Sequence, residues 1–333
     1  MAAVVMSQTF TANAAAASGR PAPGGAGAVS TTPVDKDFTA DGIPDLLTVG
    51  GTTGLASGVW LAAGLPAKKP STGSGQVGLP PVNIGARGNV VSGDTSPSDF
   101  DGAQVIAGPF AGPTDKDVLV YYPTGFSAGM GLILTVGSDG ILGNPEWTMP
   151  AGTFTDINGD NPLQLAAAQG TARYGYGLPD LIGTAGNPST GYHLSFYQNV
   201  GGTGGYPMSD ILSNATPTGD MNWAQWTIAT TELASGTAMF LWNSSTGALY
   251  LWEGLTFTDN GDMTGSVGYT QYLISRSWNA GVALSTLEAA DINGDGVPDI
   301  WAVTPSGTVT AYLIARLSST GSAQIRAGSP QTL

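Results

Sequence analysis

The chain has 333 residues, with 50 glycines, 22 prolines, no cysteine and a formal net charge of −14. This composition predicts an all-β chain of short strands and turns, since no stretch shows the sustained periodicity of a long helix. The acidic balance argues against a nucleic-acid partner, and the lack of cysteine excludes disulfides and thiol nucleophiles. No apolar run is long enough to predict a membrane span.

The N-terminal segment, residues 1–33, is rich in alanine, glycine and serine. It contains a small-residue sequence at Ala12–Ala14 that is typical of a signal-peptide cleavage site, although no apolar signal core precedes it. We expect residues 1–33 to be disordered, as an export-signal remnant or a linker, and residues 34–333 to form the folded part.

Loop 37–45 is the first organised element of the folded part. Oxygen-bearing side chains stand at its positions 1, 3, 5 and 9, and glycine at position 6 permits the positive φ of a tight turn. Side-chain oxygens on such a turn, with the position-7 carbonyl, suit Ca²⁺, which takes six to eight oxygen ligands. The predicted ligands are Asp37, Thr39, Asp41 and Asp45, with Ile43 contributing its backbone carbonyl.

The same spacing recurs in loop 291–299, where asparagine replaces the threonine at position 3. The predicted ligands here are Asp291, Asn293, Asp295 and Asp299, with Val297 contributing its carbonyl. An EF-hand would need a glutamate at position 12 and a following helix, but strand-forming residues follow both loops. A weaker candidate lies at Asp156, Asn158 and Asp160, for which a metal-free Asx turn is an open alternative.

Three further segments align with these loops without gaps, at 109–117, 172–180 and 232–240, and successive segments are 59–72 residues apart. They share an apolar run at positions 10 and 11, but they lack a full ligand set. A period near 60 fits a four-stranded blade with long loops. The sequence therefore predicts about five such repeats, with no clear closing strand beyond residue 327.

The loops with proline at position 8 and a strand after position 9 resemble the FG-GAP or VCBS repeat. This repeat forms the β-propeller blade of integrin α subunits and of many secreted bacterial proteins, including longer actinobacterial ones. The resemblance implies an all-β propeller of four-stranded blades, with Ca²⁺ in the loop that joins the first two strands. It implies a secreted or cell-surface bacterial protein, and it implies no particular activity.

Catalytic chemistry has few candidates. His193 is the only histidine and lies in a strand-like alternation, which favours a structural role. Glu232, Glu253 and Glu288, together with the loop aspartates, could supply a carboxylate pair for glycoside hydrolysis if the fold brought two of them together. Tryptophans and tyrosines could stack on sugar rings if they were exposed. The candidates are Tyr121, Tyr122, Trp223 and Trp226, which lie outside the repeat register, although core packing is the expected role.

We therefore expect a calcium-binding propeller that serves as a binding or adhesion module for an extracellular glycan or protein. The second alternative is an enzyme, a carboxylate-dependent polysaccharide hydrolase or lyase on the same scaffold. A third alternative is a structural spacer within a longer surface protein.

Overall fold

The computed structural model describes most of the folded part of the chain. The described ranges are 34–51, 54–66, 75–91, 95–112, 116–169, 178–199, 205–206, 208–318 and 323–333. The expectations for residues 1–33 lie outside them. Contact clustering groups Pro33–Leu333 as one compact unit.

Strands provide nearly all the regular structure, as the composition predicts. Within the described ranges the only helical elements are two short 3-10 turns, Pro97–Phe100 and Trp223–Gln225. No helix in these ranges has the length and apolarity needed to cross a bilayer. The all-β prediction is confirmed.

The strands fall into five successive units. Unit 1 contains β1 (Leu46–Val49), β2 (Val59–Ala62) and β3 (Val82–Asn83). Unit 2 contains β4 (Gln104–Gly108), β5 (Asp117–Tyr121), β6 (Gly131–Val136) and β7 (Leu142–Met149). Unit 3 contains β8 (Pro162–Ala168), β9 (Asp180–Asn187), β10 (Gly191–Gln198) and β11 (Met208–Leu212). Unit 4 contains β12 (Trp226–Leu233), β13 (Gly236–Asn243), β14 (Leu249–Asp259) and β15 (Thr264–Ser275). Unit 5 contains β16 (Thr286–Ala290), β17 (Asp299–Val303), β18 (Thr308–Ala315), β19 (Gln324–Ala327) and β20 (Gln331–Thr332).

Sequential strands within each unit pair antiparallel, and β20 also pairs with β18. Units 3 and 4 form one eight-stranded sheet, because β11 pairs in parallel with β15 at Ile211–Thr264 and Leu212–Gly265. The pairing of β20 supplies a strand after residue 327, where no clear closing strand was expected.

Five apolar clusters lie between the units, and each is shared by two neighbours. Each cluster has members from both units that it joins. For units 1–2, 2–3, 3–4, 4–5 and 5–1 they include Leu47 and Val118, Leu119 and Leu181, Leu194 and Met239, Phe240 and Ile300, and Trp301 and Leu46. The interfaces therefore run in a closed cycle. The first strands of units 2 to 5 also contact one another in order, and β1 contacts both β4 and β16.

This cycle explains the continuous apolar runs of the second strands. All five residues of β5 and all five of β17 are buried, because a neighbouring unit covers each face of the strand. Burying one such large apolar side chain contributes about 1.5–3 kcal/mol. In β14, Leu249 and Leu251 pack in one cluster and Trp252 is fully buried in another, so both faces of this strand are covered as well.

Two units depart from the predicted repeat. Residues 232–240 are not a nine-residue loop but part of a tight hairpin, in which Glu232 pairs with Thr237 and Leu233 with Gly236. The ungapped alignment fails there because this connection is shorter. In unit 1 the described part has no strand before its loop, so β1 takes the place that β17 takes in unit 5.

Candidate functional site

Loop 291–299 is held by its own side chains. The two carboxylate oxygens of Asp291 accept the backbone N–H groups of Asp295 at 3.0 Å and Gly296 at 2.9 Å. Asp295 Oδ1 in turn accepts the N–H of Val297 at 2.9 Å. Gly294 and Gly296 have φ values of 71° and 83°, which are strained for residues with a Cβ.

Loop 37–45 repeats this arrangement. Asp37 accepts the N–H groups of Asp41 at 3.1 Å and Gly42 at 2.8 Å, and Asp41 Oδ1 accepts the N–H of Ile43 at 3.0 Å. Positions 4 and 6 again have positive φ, at 60° for Ala40 and 85° for Gly42. The two loops thus share one conformation despite the threonine–asparagine difference at position 3.

The position-9 aspartates anchor these loops to the sheet. The same bond recurs in four units, where this carboxylate begins the second strand and accepts a donor from the third strand or the residues flanking it. The pairs are Asp45 with Gly64 N at 2.8 Å, Asp117 with Thr135 Oγ1 at 2.7 Å, Asp180 with Asn199 N at 2.8 Å, and Asp299 with Ile314 N at 2.7 Å. Position 9 is therefore a structural bracket in loops with and without a full ligand set.

Asp299 differs from Asp45 in its second oxygen. Asp45 Oδ2 accepts the N–H of Thr39 at 2.8 Å, whereas Asp299 Oδ2 is buried and has no hydrogen-bond partner. Burial, with a smaller contribution from the nearby charges of Asp295 and Asp291, raises the pKa of Asp299 to about 8. An unpartnered buried carboxylate oxygen that is under the electrostatic influence of two further acids fits a cation ligand.

The ligand set is not gathered around one point. Within the described ranges no three acidic or histidine side chains lie together as a metal-binding group. The acids of loop 291–299 instead turn towards backbone N–H groups of the loop. Each carboxylate oxygen can accept more than one bond, so these contacts leave acceptor capacity for Ca²⁺.

The weaker candidate at residues 156–160 is a turn. Asp156 Oδ1 accepts the N–H groups of Asn158 at 2.8 Å and Asp160 at 2.9 Å, which matches the Asx-turn alternative. Asp156 Oδ2 lies 2.8 Å from His193 Nε2, and both side chains are buried. Asp160 is engaged by Asn187 and Thr190. His193 therefore pins this connection to β10, in agreement with the structural role predicted for it.

A small cavity of about 90 Å³ lies where the first strands meet. Two of the three candidate glutamates line it, Glu232 on β12 and Glu288 on β16, while Glu253 on β14 does not. Burial raises the pKa of Glu232 and of Glu288 to about 7 each. Ligand pockets are typically about 300–1,000 Å³, so this cavity is small for a sugar.

The cavity is closed by a segment that the sequence reasoning missed. Lys36 Nζ donates to the backbone carbonyls of Thr230 at 2.6 Å and Ala289 at 2.5 Å. Asp35 Oδ2 accepts the hydroxyl of Thr231 at 2.9 Å and the N–H of Glu232 at 3.0 Å. The signal available in the sequence was a rare lysine, in a chain with ten Lys and Arg, directly before the first loop.

The aromatic candidates for sugar stacking are in the core. Tyr121, Tyr122, Trp223 and Trp226 are at most 8% exposed, so core packing is confirmed for them. Within the described ranges the markedly exposed aromatic residues are Phe126, whose side chain is fully exposed, and Tyr269, which is 37% exposed. The sequence reasoning singled out neither; Phe126 lies in a glycine-flanked connection that favours exposure.

No protein-family model matches the chain, and none of the curated proteins compared with it gives a match.

Proposed function

We propose that the chain is a β-propeller of five FG-GAP-type blades. Two observations support this: units 2 to 5 each contain a four-stranded antiparallel meander, and five apolar interfaces connect the units in a closed cycle. Loop 291–299 precedes the second strand of unit 5, and loop 37–45 precedes β1, which takes the place of that strand in unit 1. The resemblance implies a metal loop at this position. A radial arrangement of this kind protects most sheet edges.

We further propose that both loops bind Ca²⁺. The observation that carries this is the buried, unpartnered Oδ2 of Asp299, a carboxyl whose pKa the charges of Asp295 and Asp291 help to raise. Asp291, Asn293, Asp295 and Asp299 would hold the ion through side chains, and Val297 through its carbonyl. Loop 37–45 would use the corresponding Asp37, Thr39, Asp41, Asp45 and Ile43, supported by the shared loop conformation.

The function this scaffold supports best is a secreted or cell-surface binding or adhesion module. In an antiparallel meander, the connections after the second and fourth strands lie at the end opposite the connection after the first. Four exposed apolar side chains occupy such connections, away from the metal loops: Phe126, Ile157, Met221 and Val282. Exposed apolar residues gathered on one side favour a ligand surface there.

A protein ligand is favoured over a glycan, since the aromatic residues that could stack on sugars are mostly buried. Binding to extracellular protein and glycan arrays tests this, with Phe126→Ser compared against Leu65→Ser. Leu65 is similarly apolar and 42% exposed. It follows β2, which takes the place of the third strand in unit 1, so it lies at the other end of the meander. Loss of binding in the Phe126 variant alone supports a binding module that uses this surface. Equal binding by both variants contradicts the role of this surface, and binding to glycans alone contradicts a protein ligand.

Calcium binding is tested separately by thermal unfolding in millimolar calcium and in chelator. A ligand specific to the folded state contributes about 2.7 kcal/mol per site at a hundredfold excess over its Kd. Melting should therefore rise by several degrees in calcium. Identical midpoints in the two buffers, with no heat of calcium binding in calorimetry, would exclude both sites.

The hydrolase alternative has one geometric support, the two glutamates with raised pKa values that line a common cavity. The small cavity and the presence of Lys36 within it count against a polysaccharide substrate. Release of reducing ends that is lost in Glu232→Gln would favour this alternative. A chain that neither binds nor turns over ligands would instead fit the spacer role.

A further inference from the structure

The junction between unit 1 and unit 5 is built differently from the other four. In unit 5 the backbone of Glu288 pairs with Trp301, and the corresponding position of unit 1 is Leu47. In the described part, unit 1 has no first strand to pair with Leu47. Its N–H instead donates to the side-chain Oε2 of Glu288 at 2.9 Å, so a neighbouring side chain replaces a backbone rung.

One backbone rung of the expected first strand does remain. The N–H of Asp45 donates to the carbonyl of Lys36 at 2.9 Å, and this corresponds to the pair of Asp299 with Ala290 in unit 5. Before Lys36 the chain leaves β1 and crosses the cavity, where Asp35 binds β12. Lys36 has a φ of 61°, which marks this change of direction.

Asp35 and Lys36 thus connect three units at once. Lys36 is attached to unit 1 through its carbonyl, and its ammonium group reaches unit 4 at Thr230 and unit 5 at Ala289. The side chain of Lys36 is only 10% exposed. The ammonium group is held by these two carbonyls and lies near three acids, Asp35, Glu232 and Glu288. It therefore holds units 4 and 5 in place, since each buried partner would be costly to leave unpaired.

We propose that Asp35–Lys36 is a latch that closes the ring, and that calcium in loop 37–45 controls it. This inference rests on the proposed calcium binding. Lys36 directly precedes Asp37, the position-1 ligand, and Asp45, the position-9 ligand, donates its N–H to Lys36. An ion that draws Asp37 and Asp45 together fixes both attachments of the latch to unit 1. Loop 291–299 lies within unit 5 and packs on units 1 and 4 through the apolar side chains of Ile292 and Val297, with alanine rather than lysine directly before it.

The coupling has a thermodynamic requirement. Calcium favours the closed ring only if it binds the closed form more tightly than the form in which Lys36 has left the cavity. Coupling between two sites typically changes an equilibrium by about 5- to 150-fold. Opening of the junction should therefore become rarer by a factor in that range when loop 37–45 is loaded.

Hydrogen exchange measured by mass spectrometry tests this on peptides covering β1 and β16, in calcium and in chelator. Asp41→Ala and Asp295→Ala form a matched pair, since each residue stands at position 5 and accepts one N–H of its own loop. Lys36→Met removes the ammonium group but keeps the apolar stem. Calorimetry on each variant reports calcium binding independently.

We expect calcium to slow exchange in β1 and β16 of the native chain about 5- to 150-fold. Asp41→Ala and Lys36→Met should each abolish the protection of β1, while Asp295→Ala should keep it. In β16, which loop 291–299 directly follows, Asp295→Ala should leave only the protection that depends on the latch. Protection of β1 that survives both Asp41→Ala and Lys36→Met, or is lost equally in Asp295→Ala, would overturn the latch while leaving calcium binding in place. A native chain that binds no calcium would overturn the coupling together with the proposed metal sites.

Discussion

The carboxylate of Glu288 accepts the backbone N–H of Leu47 at 2.9 Å, across the boundary between the last unit and the first. The backbone of Glu288 meanwhile pairs with Trp301 in its own unit. Glu288 thus bonds to two equivalent strand positions, to Trp301 through its main chain and to Leu47 through its side chain.

This relationship predicts the behaviour of two variants. Glu288→Gln keeps an acceptor for the N–H of Leu47 and removes a buried charge, so its stability should match or exceed that of the native chain above pH 8. Glu288→Ala leaves a buried N–H unpaired and should cost about 1–3 kcal/mol. Chemical denaturation measures both, with the exposed Glu146→Gln as the control. A Glu288→Ala variant as stable as Glu288→Gln would show that the bond is dispensable.

Stability should fall as the pH rises from about 5 to 8. The pKa values of Glu232 and Glu288 are raised from 4.5 to about 7, so the folded chain holds these protons more tightly than the unfolded chain. Their stabilisation is complete below pH 4.5 and is lost as the pH rises through 7. Denaturant midpoints across this range provide the measurement. The slope should shrink in Glu232→Gln with Glu288→Gln; an unchanged slope would assign it to other groups.

The two brackets at Asp299 and Asp117 should respond differently to calcium. Both carboxylates are buried and bonded to their sheet, so either alanine variant should lose about 1–3 kcal/mol in chelator. Asp299→Ala should lose more in calcium, because it also removes a proposed ligand. Calorimetric unfolding of both variants in both buffers decides the matter. A loss of stability in Asp299→Ala that does not depend on calcium would show that position 9 only anchors the loop to the sheet.

The buried pair of His193 and Asp156 should be important for stability and irrelevant to catalysis. His193→Ala leaves a buried carboxylate without its partner and should cost about 3–5 kcal/mol. Adding Asp156→Ala should recover part of this loss in a double-mutant cycle. Any hydrolase activity should persist in the single variant wherever it remains folded. Additive losses would argue against the pair, and loss of turnover with an intact fold would reveal a catalytic histidine.

The sequence is a good guide to the strands of the last unit, because local signals agree there. The Ser306–Gly307 turn, the apolar run after Asp299 and the alternation before Ala315 all indicate the same hairpin. It failed at residues 232–240 because a short hairpin turn, centred on residues 234–235, replaces the loop. An alignment without gaps has no means of representing that change.

The two loops proposed to bind Ca²⁺ could be located from spacing alone, since position and chemistry coincide within nine residues. The cavity and the latch could not. Lys36 lies 194 residues from Thr230 and 253 from Ala289, and contacts over such separations depend on how the whole ring closes. Phe126 and Asp35 were missed for the same reason, because exposure and burial are properties of the assembled chain.

The parallel bridge between β11 and β15 has a consequence for how such a chain could change its number of repeats. Duplication or deletion at the other boundaries separates units that are joined by apolar side chains and single hydrogen bonds, not by paired strands. Removing unit 3 or unit 4 alone would also break main-chain bonds and leave one long outer strand uncovered. Exposed strand edges promote association between chains, so recombination here would carry an aggregation cost. The boundary between units 3 and 4 is thus the least modular of the five.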